Sequence, residues 1–218
     1  MTVFLIAAAA AYLIGSFPSG WFAGRACGVD LQNSGSGNIG ATNALRVLGK
    51  KWGYAVFASD VLKGALAVVA GYQLARLPLA HGAEPAHVAV IAAFFVIIGH
   101  SFPVWLGFKG GKGIATSAGI MLTLFPPAVF VSGLIVWMAL FFSTRYVSVA
   151  SLGAAITLPT AALLLALFGK PDDWFFGRCD PLLVLISALM GALAIWRHQG
   201  NISRLLAGTE KRFERKTS

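Results

Sequence analysis

The sequence predicts an all-α integral membrane protein, a polytopic helical bundle of seven transmembrane helices with its N-terminus outside and its C-terminus in the cytoplasm. Composition indicates the class: 57% of the 218 residues are hydrophobic and only 11% are charged, against roughly 25% charged in an average soluble domain. The distribution of lysine and arginine between the apolar runs indicates the orientation. No linker of low complexity separates these runs, so residues 1–218 are expected to form a single transmembrane domain.

Six apolar runs approach or exceed the roughly 20 residues that one crossing needs. They cover residues 2–23, 53–77, 87–108, 114–142, 147–169 and 181–196. The first has no basic residue before it, so it predicts a spanning helix rather than a secretory signal. The fourth contains Pro126 and Pro127, which remove two backbone donors. It therefore forms one kinked span or two short ones, with a re-entrant hairpin over residues 112–124 as a further alternative.

Basic residues decide between these alternatives, since they accumulate in cytoplasmic loops. If the chain turns at the two prolines, all but four of the 17 basic residues fall on one face. The exceptions are Lys63, Arg76, Lys170 and Arg178. A kink alone would place Arg145 and the basic C-terminal tail opposite Lys109 and Lys112. Seven crossings are therefore predicted. The basic residues flank apolar spans without interleaved stacking aromatics, so no nucleic acid partner is expected.

Three basic segments rich in glycine or asparagine lie between the runs, at residues 34–46, 108–113 and 198–204. Backbone amides freed by glycine and fixed cationic charges together hold phosphate groups. The predicted topology places all three segments on the cytoplasmic face, where they could form one composite site. Tight turns between spans are the alternative for any one loop, but three loops with matching charge on one face weaken that alternative.

Two of these segments match nucleotide-binding patterns only superficially. Residues 35–40 fit the dinucleotide fingerprint, but no apolar strand precedes them. Residues 106–113 resemble a P-loop, but Leu106 replaces a glycine and Gly113 replaces the Ser or Thr that would hold magnesium. Neither segment is expected to bind a nucleotide.

The chain carries longer motifs in the same places. They are Ser36-Gly-Asn38-Ile-Gly-Ala-Thr42-Asn43-x-x-Arg46, Gly99-His-Ser-Phe-Pro103 leading to Phe108-Lys-Gly-Gly-Lys-Gly-Ile-Ala-Thr116, and His198-x-x-Asn-Ile-x-Arg-Leu205 with Gly208 and Glu210. Together with Asp60-x-x-Lys63-Gly64 and Arg145-Tyr-x-Ser148-x-x-Ser151, they closely resemble the bacterial acyl-phosphate:glycerol-3-phosphate acyltransferase family (PlsY). The resemblance runs in order from Gly15 to Glu210. Gln199 departs from it, because a basic residue is expected there.

The resemblance implies transfer of a fatty acyl group from acyl phosphate to the 1-hydroxyl of sn-glycerol 3-phosphate. The products are lysophosphatidic acid and phosphate, in the first acylation step of bacterial phospholipid synthesis. The resemblance also implies a multi-pass protein of the bacterial cytoplasmic (inner) membrane, with an active site facing the cytoplasm. We expect a monomer that contacts membrane lipids and uses no cofactor and no metal. Since a mixed anhydride is already activated, the protein has mainly to orient the hydroxyl and stabilise developing charge.

The resemblance also implies roles for individual residues. The expected catalytic residues are His198, Lys112, Ser36 and Arg46. The expected substrate-binding residues are Asn38, Thr42, Asn43, Gly110, Gly111, Gly113, Ser148, Ser151 and Asn201. Arg46 is expected to clamp a phosphate with two hydrogen bonds, and Lys112 to neutralise the acyl phosphate or the leaving phosphate. Two pairs, His198 with Asn201 and Ser148 with Ser151, have the spacing of one helix face. The first pair is expected to hold glycerol 3-phosphate and the second to line the substrate path.

Two groups are candidates to accept the proton of the attacking hydroxyl. One is His198, acting as a general base, but no carboxylate lies nearby in sequence to activate it. The His-x-x-x-x-Asp signature of other glycerolipid acyltransferases is absent from all four histidines. The other candidate is a phosphate oxygen of the donor itself. We favour this substrate-assisted route.

Several remaining features have structural interpretations. Asp60 and Lys63 lie three apart inside a span, where ionisable groups are paired or functional, so they are either an internal ion pair or a substrate contact. His100 is expected to satisfy backbone groups at a helix end. Small residues are expected to permit close helix contacts at Gly64, Gly71, Gly119 and Gly153.

A transporter for an organic phosphate is the competing function. The sequence shows no repeated halves, and its anion motifs crowd one face instead of the bilayer midplane, which argues against alternating access. An acyltransferase is therefore the preferred interpretation.

Overall fold

The computed structural model describes residues 1–213, and α-helices account for most of them. The ten helices of this described part are α1 (Thr2–Ser16), α2 (Ser19–Ala26), α3 (Ala41–Val47), α4 (Lys50–Leu74), α5 (Pro85–Ser101), α6 (Ile114–Leu124), α7 (Pro127–Thr144), α8 (Val147–Phe168), α9 (Pro181–Arg197) and α10 (Gln199–Leu206). Residues 1–213 contain no strand apart from an isolated bridge between Lys170 and Gly177. The predicted all-α class is confirmed. Arg215 and Lys216, counted above among the cytoplasmic basic residues, lie outside the described residues.

Five helical segments in the described part of the chain are long and apolar enough to cross a membrane. They are Thr2–Ala26, Lys50–Leu74, Pro85–Leu106, Pro127–Thr144 and Val147–Phe168. A sixth is available if α9 and α10, which are bent by 52° where they meet, form one span. With 11 residues, α6 is about 16 Å long, against a hydrocarbon core of about 30 Å. Seven crossings and the orientation of the termini stay predictions.

Prolines set several helix boundaries. α6 ends at Leu124 and α7 begins at Pro127, so residues 114–142 form two helices rather than one. Pro18 separates α1 from α2, and Pro103 follows the end of α5. A proline cannot donate a helical hydrogen bond and disfavours helical backbone in the residue before it. The spanning helix predicted over residues 2–23 is therefore corrected to two helices with a break, which remain within one candidate span. In the apolar run 87–108, α5 ends one residue after His100, which was expected at a helix end.

The contacts divide the chain into two compact units, Met1–Leu124 and Phe125–Ser218. α1 to α6 belong to the first unit and α7 to α10 to the second. The single domain expected over residues 1–218 stays a prediction.

In the first unit, α4 packs along α6 at two reciprocal glycine contacts. A methyl group on Gly64 would overlap the carbonyl oxygen of Thr116, and one on Gly119 would overlap the carbonyl oxygen of Val61. In each helix, the carbonyl that contacts the partner's glycine lies three residues before the helix's own glycine. A methyl group on Gly71 would lie 2.8 Å from Cα of Ala89 in α5. The predicted close contacts at Gly64, Gly71 and Gly119 are confirmed.

α1 and α5 pack by the same arrangement. A methyl group on Gly15 would overlap the carbonyl oxygen of Val96, and one on Gly99 would overlap that of Tyr12. The Tyr12 hydroxyl also donates a 2.9 Å hydrogen bond to the Phe102 carbonyl, just beyond the end of α5. Since apolar side chains gain little by leaving lipid for a protein neighbour, such close backbone packing is a main source of helix association in a bilayer.

In the second unit, α8 packs between α7 and α9. Gly153 faces the side chain of Leu140, not backbone, so the close contact predicted there involves a flexible group. Asp180 caps α9 by accepting a 2.7 Å hydrogen bond from the amide of Leu182. The chain after α10 returns to the start of α8, where the Phe213 amide donates a 2.9 Å hydrogen bond to the Arg145 carbonyl.

We expect Gly119→Ala to lower the free energy of unfolding by about 1–3 kcal/mol, because its methyl group would press on a backbone oxygen that cannot move aside. Gly153→Ala makes the same chemical change against the end of a leucine side chain, so it should leave stability near that of the wild type. Thermal unfolding of both variants in one detergent measures the difference. Equal melting temperatures would contradict this account of the α4–α6 contact.

Candidate active site

The first glycine-rich segment is shaped by Asn43, a buried residue of α3 with 2% of its surface exposed. Its side-chain oxygen accepts a 2.8 Å hydrogen bond from the amide of Ser36. Its side-chain nitrogen donates to the carbonyls of Ser34, at 2.9 Å, and Leu31, at 3.2 Å. Asn43 therefore fixes the loop from inside, and the loop presents the exposed Ser36 to its surroundings.

Two further features set the shape of this loop. Asn38 accepts a 2.8 Å hydrogen bond from the amide of Gly40, which turns the chain into α3. Gly37 has a φ of 72°, a left-handed conformation that favours glycine. α3 then carries Thr42 and Arg46 four residues apart, on one face, and both side chains are partly exposed.

The second segment follows the end of α5. The amide of Gly111 donates a 3.0 Å hydrogen bond to the carbonyl of His100, and the amide of Gly110 donates a 3.2 Å bond to the carbonyl of Ser101. Gly113 has a φ of 82° and opens α6. The partly exposed Lys112 thus stands at the N-terminus of a helix, where unpaired amides and the helix dipole favour an anion.

These contacts refine the expectation for the glycines. The amides of Gly110 and Gly111 are engaged with backbone carbonyls, so they build the loop. The cationic charge of Lys112 and the first turn of α6 are the groups suited to a phosphate. The substrate-binding role of Gly110 and Gly111 stays a prediction.

A buried ionic cluster lies in the same unit. Lys63 forms a 2.9 Å ion pair with Asp60 and donates a 3.1 Å hydrogen bond to the Phe17 carbonyl. The same carboxylate oxygen of Asp60 accepts a 2.8 Å hydrogen bond from the hydroxyl of Ser19 and lies 3.7 Å from Nδ1 of His100. The structure supports the interpretation of Asp60 and Lys63 as an internal ion pair. Sequence reasoning missed the place of His100 beside it.

In the second unit His198 lies between α9 and α10 and is 3% exposed. Its Nδ1 is 2.7 Å from the carbonyl oxygen of Ala194. A carbonyl only accepts hydrogen bonds, so this contact assigns the ring proton to Nδ1 and the lone pair of the neutral ring to Nε2. The partner of Nδ1 is thus a neutral backbone group and not a carboxylate.

Asn201, one turn further, is tied to Glu210. Its side-chain nitrogen donates a 2.6 Å hydrogen bond to one carboxylate oxygen of Glu210, and Nε of Arg204 donates a 2.7 Å bond to the other. The buried Ser148 hydroxyl also faces this carboxylate, without a hydrogen bond of normal geometry. Burial alone raises the pKa of Glu210, but Asn201, Ser148 and Arg204 outweigh it and hold the pKa below its ordinary value. Glu210 is therefore an ionised anchor for α10.

The structure places the predicted residues in two groups. Ser36, Asn38, Thr42, Asn43, Arg46, Gly110, Gly111, Lys112 and Gly113 belong to the first unit, and Ser148, Ser151, His198 and Asn201 to the second. Ser148 and Ser151 share the first turns of α8 and are both buried. Within residues 1–213, no three His, Cys, Asp or Glu side chains are grouped to hold a metal ion. The catalytic and binding roles stay predictions.

We expect Glu210→Gln to lower the free energy of unfolding by about 2 kcal/mol at neutral pH, since charge-assisted hydrogen bonds are lost. Because the pKa of Glu210 is lowered on folding, the ionised carboxylate stabilises the protein above the ordinary glutamate pKa. This contribution is lost as the pH falls through the lowered value. Melting temperatures of wild type and variant should therefore converge in acid.

Glu84→Gln is the matched control, because Glu84 is exposed and its side chain makes no capping hydrogen bond. It should melt like the wild type at every pH. A gap between wild type and Glu210→Gln that stays constant down to acid pH would contradict the role given to the carboxylate.

Comparison with known proteins adds to this geometry. The family model described as glycerol-3-phosphate acyltransferase matches residues 5–208. The glycerol-3-phosphate acyltransferase of Synechococcus elongatus is 42% identical over 213 residues, with 95% of this chain and 93% of the relative covered. That of Syntrophotalea carbinolica is 43% identical over 219 residues, covering 98% of this chain and 100% of the relative.

Two solved structures are also similar. Both are crystal structures of PlsY (YgiH), an integral membrane glycerol 3-phosphate acyltransferase. The glycerol 3-phosphate form has a TM-score of 0.81 and 37% identity, covering 97% of this chain and 96% of that one. The lysophosphatidic acid form has a TM-score of 0.78 and 36% identity, covering 97% and 95%. Since the family model spans nearly the whole chain and the fold agrees, this protein belongs to the glycerol-3-phosphate acyltransferase family.

Proposed function

We propose that this protein transfers a fatty acyl group from acyl phosphate to the 1-hydroxyl of sn-glycerol 3-phosphate, giving lysophosphatidic acid and inorganic phosphate. The observation that carries the proposal is the likeness, over 97% of the chain, to an acyltransferase solved in a glycerol 3-phosphate form and a lysophosphatidic acid form. These two ligands are the acceptor and the product of one acylation, so the same reaction is proposed here.

The proposed donor is an acyl phosphate. Donor and acceptor would then each bring one phosphate, and the first unit alone has two basic segments of the phosphate-binding type. The loop fixed by Asn43 leads to Arg46 on α3, and the glycine loop leads to Lys112 at the start of α6. Two anionic groups, each facing its own cationic segment, account for both loops better than a single phosphate does.

The reaction forms a bond between O1 of glycerol 3-phosphate and the acyl carbon, and breaks the bond from that carbon to the bridging phosphate oxygen. The hydroxyl proton passes to an oxygen of the departing phosphate. Nδ1 of His198 is engaged with a carbonyl and not with a charged group. A histidine held in this way is suited to orienting the acceptor, which supports the substrate-assisted route over general base catalysis.

Individual roles follow from this scheme. Arg46 and Lys112 neutralise phosphate charge, with Ser36 and Thr42 as hydroxyl donors beside Arg46. His198 and Asn201 hold glycerol 3-phosphate, and Ser148 and Ser151 line its path. Asn38, Asn43 and the glycines 110, 111 and 113 support these contacts by shaping the two loops.

The proposed setting is the bacterial cytoplasmic membrane. The protein would cross the bilayer seven times, with α6 as the shortest crossing, its N-terminus outside and its active site facing the cytoplasm. It would act as a monomer, without cofactor or metal.

The direct test is phosphate release by the purified protein given palmitoyl phosphate, with and without glycerol 3-phosphate. We expect release that requires glycerol 3-phosphate, with lysophosphatidic acid as the lipid product identified by mass spectrometry. Palmitoyl-coenzyme A in place of palmitoyl phosphate is the control and should give no product. A folded protein that binds glycerol 3-phosphate without releasing phosphate would favour the organic-phosphate transporter.

The role of His198 can be tested by pH profiles. If it is a substrate ligand, His198→Ala should lower kcat/KM by about 10- to 100-fold, as expected for a lost hydrogen bond to a charged group. The shape of the residual pH profile should not change. His87→Ala, at an exposed position, is the control and should retain full activity. Loss of an ionisation together with all residual rate would instead identify His198 as the general base.

A further inference from the structure

We infer that His100 is a positioning residue, which holds the glycine loop 109–113 so that Lys112 meets a substrate phosphate. The inference rests on the proposed function for the identity of that phosphate. It goes beyond the helix-end role expected for this histidine from the sequence.

One side of the His100 ring faces a fixed anchor. Its Nδ1 is 3.7 Å from a carboxylate oxygen of Asp60 that also receives Lys63 and the Ser19 hydroxyl. His100, Asp60 and Lys63 are buried, with 6%, 3% and 6% of their surfaces exposed. The crevice that they line with Phe17 has no room for a water molecule. Asp60 and Lys63 are fixed by each other and by Ser19 and the Phe17 carbonyl. A buried ring packed against this fixed pair has little room to turn.

The other side of the ring lies against Gly111. A methyl group added to Gly111 would overlap Nε2 of His100 and lie 2.7 Å from Cε1. Gly111 does not have the left-handed backbone that requires glycine, whereas Gly113 does. The imidazole is therefore the physical reason for glycine at position 111.

The neighbouring Gly110 is needed for a different reason. A methyl group there would overlap the backbone oxygen of His100 and lie 2.8 Å from that of Ser101. Backbone cannot be removed by mutation, but the imidazole can. The two adjacent glycines thus offer a matched pair for testing whether the ring itself positions the loop.

Backbone contacts pass this constraint to Lys112. The amide of Gly111 donates to the carbonyl of His100 at 3.0 Å, so ring and backbone of one residue hold the same glycine. Lys112 follows immediately and stands at the entrance to α6. A ring that moves would shift the lysine, and a shift of about 1 Å at a binding group is enough to weaken transition-state or ground-state binding.

Steady-state kinetics of phosphate release tests the inference, with each substrate varied in turn. We expect His100→Ala to raise the KM of one of the two phosphate substrates by about 10-fold while kcat stays within about 3-fold, as for lost uniform binding. His100→Asn keeps an amide toward Asp60 but lacks the ring edge that lies against Gly111, so the KM should stay raised. Loss of stability with both KM values unchanged would show that His100 only fixes helix packing, and would overturn the inference.

A double-mutant cycle gives the sharper readout. Gly111→Ala alone should raise the same KM, because its methyl displaces the ring. Added to His100→Ala, it should cause little further change, since the space is then empty. Gly110→Ala should remain as harmful in the His100→Ala background as alone. Independent effects of His100→Ala and Gly111→Ala would overturn the inference.

The same cycle separates this inference from the proposed function. A wild-type protein that releases no phosphate refutes the acyltransferase. The rise in melting temperature caused by added inorganic phosphate then replaces KM as the readout. The positioning role is still supported if the effects of His100→Ala and Gly111→Ala on this melting temperature rise are non-additive while those of His100→Ala and Gly110→Ala add. Additive effects of His100→Ala and Gly111→Ala would refute it.

Discussion

The burial of one aspartate and one lysine constrains the whole first unit. Removing each ion from water costs several kcal/mol, which only close pairing and further hydrogen bonds offset. Asp60 and Lys63 meet this need with partners from other elements: the carbonyl that ends α1, the hydroxyl that begins α2 and the histidine near the end of α5. Two chain breaks are thereby drawn to one point, the one between α1 and α2 and the one after α5. Pro18 lies in the first and Pro103 follows the second.

Side chains that make several hydrogen bonds shape the loops on which the candidate site depends. Asn43 binds three backbone atoms of its own loop, and Glu210 holds two side chains of α10. These residues need not touch a substrate to matter for catalysis. They reduce the number of loop conformations before any ligand arrives, so less ordering entropy opposes binding. The partly exposed Arg46, on the same helix as Asn43, carries a cationic charge.

Much of the fold was predictable from the sequence, because composition and motif order are properties of the chain alone. The all-α class, the helix boundary at Pro127 and the close packing at Gly64 and Gly119 all follow from local rules. The place of His100 beside Asp60 did not, since the two residues lie on different helices and no periodic pattern joins them. The break at Pro18 was missed because the apolar run continues across it. The hydrogen bonds from the Gly110 and Gly111 amides to the end of α5 could not be predicted either. They depend on how the chain after α5 folds back on that end.

The reciprocal glycine contacts have a consequence for motion. They occur between α1 and α5 and between α4 and α6. In each pair, a glycine of either helix lies against a carbonyl oxygen of the other helix. Sliding either helix by one residue, about 1.5 Å, would replace both glycines with larger residues at the point of closest approach. The register of these pairs is thereby locked against small displacements. Each locked pair can move only as one body, so the loops that join these helices are carried on a rigid support.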